Sequence, residues 1–145
     1  MAKKTIALKD YLHVVEEYNA AAEITPGFLI ELTSAGKVQA HSTSAGLVTP
    51  AMFATENDFE GQTISDAYEA DDPVRCWIPQ RGDVVYALLN GGENASVGDS
   101  LVSAGDGSLA VAGSNEDYIV GIAIEAVDNS DSAGLPDARI AIRIV

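Results

Sequence analysis

The sequence predicts a mainly β fold, a small barrel or sandwich closed around one core, with little helix. Three observations predict it. Apolar residues alternate or run in short segments of strand length. Turns rich in glycine and aspartate separate those segments. The 145-residue chain, 47% hydrophobic, is long enough to close one core and too apolar to be generally disordered.

The elements follow in order. Residues 1–9, Met1-Ala2-Lys3-Lys4-Thr5-Ile6-Ala7-Leu8-Lys9, hold no turn residue and little bulk. They read as an extended arm dispensable for folding, or as a frayed terminus. No apolar stretch of signal-peptide length follows the charged start, which predicts no secretion. Nor does any run approach the roughly 20 residues of a membrane span. From Asp10 to Ala22, Leu8, Leu12, Val15 and Asn19 fall near helical spacing with Asp10 as a cap. Tyr11, His13, Val15 and Glu17 fit one face of a strand equally well. The N-terminal unit is therefore drawn as residues 1–22 and the body as residues 23–145.

The body opens at the turn Thr25-Pro26-Gly27. Phe28, Ile30 and Leu32 then alternate onto one face, and Ser34-Ala35-Gly36-Lys37 turns the chain back toward Val38 and Ala40 as a hairpin. Pro50 at a first helical position allows a second helix from Thr49. Val84 to Leu89 is apolar at both parities and predicts a strand buried on both faces. Ser100-Leu101-Val102 and Leu109-Ala110-Val111 flank Gly105-Asp106-Gly107, a hairpin whose glycines tolerate positive φ. Ile119 to Ile124 and the alternating Arg139 to Ile144 complete the strands, with a polar loop, residues 128–134, between them. Short strands joined this way favour a barrel or sandwich. No internal repeat suggests a solenoid.

Charge narrows the partners. The net charge is −14. Three lysines against Asp10 give residues 1–10 a charge of +2, which leaves −16 on the rest. An acidic body repels nucleic-acid phosphates and anionic lipid. No base-stacking aromatics stand among basic residues, so neither nucleic acid nor membrane is expected as a partner.

Catalytic and metal motifs are missing. His13 and His41 have no second ligand or base at a telling spacing. No nucleophile elbow, phosphate-cradling loop or His-Glu-x-x-His occurs. The lone Cys76 lies beside Trp77 and reads as core, with Arg75 on the opposite strand face. Asp71-Asp72 before Pro73 reads as a turn, and Asp128-x-x-Asp131 lacks the alternating ligands and terminal Glu of a calcium loop. No enzyme, cofactor or metal is expected. Gly98-Asp99-Ser100-Leu101 with Gly105-Asp106-Gly107 resembles a biotinyl- or lipoyl-type hairpin. A carrier attaches its cofactor through a lysine at the tip, and none follows Lys37.

Six segments occur in serial order: Ile24 to Ile30, Gly61 to Val74, Ile78 to Leu89, Gly98 to Leu101, Gly105 to Leu109 and Val120 to Glu125. Together they resemble the head decoration (cement) proteins of tailed phages, over roughly residues 24–145. The resemblance implies a small β-barrel or β-tulip body, a homotrimer on the outside of the mature head, and stabilisation of contacts between major capsid protein subunits. It implies synthesis in the host bacterial cytoplasm and an N-terminal arm reaching along the capsid protein. The basic start then becomes a capsid-binding arm, carried by Lys3, Lys4, Thr5, Ile6, Leu8 and Lys9. The alternative is a non-catalytic carbohydrate- or receptor-binding β module on a phage or cell surface. With nine aromatic residues, Trp77 and Tyr86 in runs that look buried, an aromatic platform for sugars is a weaker expectation.

Overall fold

A computed structural model describes residues 3–113, 118–132 and 137–145. Thirteen strands occur among them: β1 Ala7–Lys9, β2 Val15–Asn19, β3 Leu29–Leu32, β4 Val38–Ala40, β5 Met52–Ala54, β6 Pro73–Trp77, β7 Val84–Leu89, β8 Asn94–Ala95, β9 Ser100–Ser103, β10 Leu109–Val111, β11 Gly121–Ala123, β12 Val127–Asp128 and β13 Ala138–Ile144. Among the described residues, helix is confined to two single 3-10 turns, Asp58–Glu60 and Ser130–Ser132. The fold is mainly β around a closed five-strand barrel.

The barrel runs β7-β10-β9-β11-β13 and returns to β7. Its longest seam is antiparallel, from Leu89 opposite Ala138 to Val84 opposite Arg143. Alternation in β13 sends Ile140, Ile142 and Ile144 inward, where they meet Val85, Ala87, Leu89, Leu101 and Leu109. A closed barrel leaves few bare strand edges. One remains on the first half of β7, because β10 meets β7 only at Leu89. Strand β1 fills it, Ala7 opposite Val85 and Lys9 opposite Val84.

A second, five-stranded sheet packs on the barrel in the order β2-β6-β5-β3-β4. Its two faces feed two cores. Leu29, Phe53 and Trp77 enter the barrel core. Their alternates Ile30, Met52, Ala54, Val74 and Cys76 form a second core with Ala20, Ile24, Val38 and Tyr68. Phe28, Ile30 and Leu32 do share a face as the alternation predicts, but Leu29 is fully buried on the other, so this part of the sheet buries residues on both faces while Leu32 stays half exposed. Burial pushes the Cys76 thiol up to about 12, which keeps it a protonated core side chain.

Two helix expectations are corrected. Residues 10–22 hold no helix. Val15 to Asn19 pair along β6, Ala20 bridges Val38, and the edge of β6 satisfies main-chain groups an isolated short helix would leave bare. No helix starts at Thr49-Pro50 either. That peptide is cis, and the chain enters β5 two residues later. The strand expected over residues 119–124 shortens to Gly121–Ala123. Part of the loop over residues 128–134 lies outside the described residues.

Arg139 fastens β13 to the loops outside the barrel. Its guanidinium donates to Pro26 O at 2.6 Å and Ile64 O at 2.8 Å, and lies over the Tyr86 ring at 5.8 Å. Arg139→Met should cost about 2–4 kcal/mol in denaturant unfolding, because both carbonyls lose a charged donor. Arg139→Lys should recover only part of this, since one ammonium cannot reproduce the planar fork. Equal stability of all three proteins would refute the staple.

Candidate docking surface

The N-terminal stretch is extended, as expected, but it lies along the barrel. Ile6 is fully buried in the barrel core. Its N–H donates to Glu56 at 3.1 Å and its carbonyl accepts from Tyr86 N at 2.8 Å. After the β1 pairing, Tyr11 N–H donates to Asp83 Oδ1 at 3.2 Å. Asp83 is itself fully buried and accepts Gln80 N–H at 2.8 Å through its other oxygen. A buried isoleucine is part of the core, which argues against residues 1–9 being dispensable for folding. The boundary at residue 22 is not a packing boundary, since β2 belongs to the five-stranded sheet and Ala20 is buried.

What remains outward is a strip of mixed character. Lys3, Lys4, Thr5 and Lys9 are exposed, Leu8 is half-buried, and Ile6 is withdrawn from any partner. Lys3 lies 3.5 Å from Glu125 and over the Tyr86 ring at 5.1 Å. Beyond them Tyr11 and Leu12 are 72% and 62% exposed, with the Lys9 ammonium 5.6 Å from the Tyr11 ring centre. Sequence reasoning missed this apolar pair because it divided the two residues between alternatives, Leu12 in a helical register and Tyr11 on one face of a strand. The readable signal was two large apolar side chains just past Lys9 and Asp10, close to the only lysine-rich part of the chain.

The fold also assembles a group that no sequence spacing announced. His41 Nδ1 meets Ser103 Oγ at 2.7 Å, and its Nε2 lies 3.1 Å from Leu47 O and 3.6 Å from Glu31 Oε2. Leu47 O can only accept, so Nε2 carries the hydrogen in the neutral ring. Ser103 Oγ then donates to Nδ1 while accepting Gly105 N–H at 3.1 Å. These are the residue types of a nucleophilic triad. Ser103, however, is fully buried and His41 almost so, which leaves the hydroxyl no face for a substrate. The group ties the barrel strand β9 to the loop after β4. Glu31 is pushed up by burial, but hydrogen bonds from Ser42 and Gln39 and the nearby His41 outweigh this and hold its carboxyl below the usual range.

The other singled-out residues have local work. His13 pairs with Asp10 and lies near the Trp77 ring. Asp72 accepts Glu69 N–H within its turn, and Asp71 pairs with Lys37. Asp128 accepts the Ser130 hydroxyl and N–H, which hold its carboxyl low. Among the described residues, no three His, Cys, Asp or Glu side chains gather as metal ligands would. The Gly105-Asp106-Gly107 tip is held at the join with the sheet: Gly107 O accepts Leu29 N–H at 2.8 Å and its N–H donates to His41 O at 3.3 Å.

A closed five-strand barrel with a sheet packed on its side and a strap of N-terminal chain along one strand defines the class: a small, mainly β protein. No described protein family matches the chain, and no curated protein matches it. Among solved structures, the N base of the head fiber gp8.5 of bacteriophage phi29 shares the fold, with a TM-score of 0.61 and 11% identity over 92% of this chain and 95% of that one. The shared fold agrees with the small β-barrel body that the resemblance in the sequence implies.

Proposed function

We propose that the chain is a non-catalytic structural protein of a phage head, which binds the outside of the mature shell and stabilises contacts between major capsid protein subunits. The observation that carries this is a fold shared with a head-fiber base across nearly the whole of both chains. The strip of Lys3, Lys4, Lys9, Tyr11 and Leu12 supports it as a contact surface, basic on an otherwise acidic protein.

The protein works as a clamp when several copies act together. As a homotrimer it would carry three times −14, or −42, so its copies need apolar contact, screening or pairing with the basic strips to stay together. Three weak contacts on one rigid body raise avidity by about 10²–10⁴ over a single contact. If shell expansion sets the spacing that all three need, only expanded heads are decorated.

Mixing the purified, size-characterised protein with expanded heads that lack it should give ordered density on the outer surface. Bare heads at saturating protein would overturn the reading. Lys3→Glu with Lys4→Glu should weaken decoration more at low salt than at high salt, since exposed charges are screened over a Debye length of about 10 Å at 0.1 M. Equal loss at both salts would remove charge from the contact.

A further inference from the structure

We propose that a cleft at one end of the five-stranded sheet receives an extended basic segment of a partner protein, with aliphatic residues alternating with lysine or arginine. The inference rests on the docking role above only in taking the partner to be a protein.

Three features of the cleft converge. It is a space of about 420 Å³ beside β3 and residues 47–50. Ile30 and Met52 line it as buried apolar surface, whereas Leu32 and Leu47 are left 51% and 62% exposed at its border. A leucine pair standing in water beside a hollow is a surface still to be covered.

The second feature is a gap beside the end of β3, an interior strand, where the shorter β5 does not reach. Leu29 O accepts His41 N–H at 2.9 Å, and Thr33 N–H donates to Lys37 O at 2.8 Å. These residues of the β3 hairpin therefore turn their main-chain groups toward the β4 side. Alternation sends those of Ile30 and Leu32 the other way. On that side Ile30 is opposite Met52, the first residue of β5. The position opposite Leu32 would be Pro50, which has no N–H and lines the cleft. The Leu32 peptide group is thus turned toward the cleft, where an added strand could continue the ladder.

The third feature is charge. Glu16 and Glu31 line the same cleft in a protein of net charge −14. Glu31 is fixed there by Gln39 at 2.9 Å and by the Ser42 hydroxyl at 2.6 Å. An apolar floor calls for aliphatic side chains, the gap for an extended backbone, and the carboxylates for lysine or arginine. The chain's own basic start is engaged along β7, so the segment comes from another protein.

The test uses the full chain and a labelled synthetic nonapeptide of alternating lysine and valine, followed by fluorescence anisotropy. The peptide should bind. Its version with glutamate for lysine should not, and a central proline should weaken binding at least about tenfold by removing a ladder hydrogen bond. Leu32→Lys and Leu47→Lys together should cost at least about tenfold. Val97→Lys, at another exposed site, should change little. Circular dichroism confirms that each variant is folded. Absence of binding, wild-type affinity in the Leu32/Leu47 variant, or indifference to proline would each overturn the proposal; the last two would reduce it to general attraction toward an acidic surface. Protein that coats heads yet ignores the peptide would sink the cleft and leave the head-binding role standing.

Discussion

Ile6→Ala should lower the stability of the folded protein by about 2–5 kcal/mol, the range for truncating a fully buried isoleucine. For a chain of this size that is a fall in melting temperature of roughly 5–15 °C. Removing residues 1–9 should cost more, because the β1 ladder and the hydrogen bonds through Ile6 N–H and carbonyl go with the side chain. This outcome separates two roles that one segment combines. Lys3 and Lys4 lie on the surface, so Lys3→Glu with Lys4→Glu should leave the melting temperature within a few degrees while reducing decoration. A truncation that failed to coat heads would therefore say nothing about docking until its folding had been checked. Melting of Ile6→Ala at the wild-type temperature would show that the segment is not seated as described.

The barrel was legible in the sequence because its information is local. The parity of Val84 to Leu89 and Arg139 to Ile144, and the glycines around Asp106, specify strands and a turn without reference to distant residues. The seating of residues 6–9 was not legible, because it depends on the half of β7 that β10 leaves open, a fact of topology. Likewise Leu8, Leu12, Val15 and Asn19 satisfy a helical spacing that β6 overrides by offering five paired positions. His41, Ser103 and Glu31 meet only after β3, β4 and β9 have found their places. Of the candidate contact residues, the lysines could be read from charge alone. Ile6 could not be told from an outward apolar contact, since burial is a property of the finished fold.

Gly107→Val should be among the most damaging single changes in the chain, and its reason lies at the join between barrel and sheet. Gly107 has φ +90°, a region that β-branched residues avoid. A Cβ there would come within 2.8 Å of the Phe28 ring and 3.0 Å of the Ala40 Cβ. Backbone strain of about 1–3 kcal/mol adds to overpacking of about 1–3 kcal/mol. That total is a large part of the roughly 5–15 kcal/mol holding a domain together. The neighbouring side chains cannot retreat easily, because Gly107 also holds Leu29 and His41 through its own main chain. Gly36→Ala isolates the first cost: Gly36 has φ +76° but nothing within 4 Å of a new Cβ, so it should lose only about 1–2 kcal/mol. Trp77, fully buried where sheet meets barrel, reports both by its fluorescence during denaturation. If Gly107→Val unfolds no earlier than Gly36→Ala, the tip is not clamped between the two sheets, and the rigid seat of the side sheet on the barrel must be sought elsewhere.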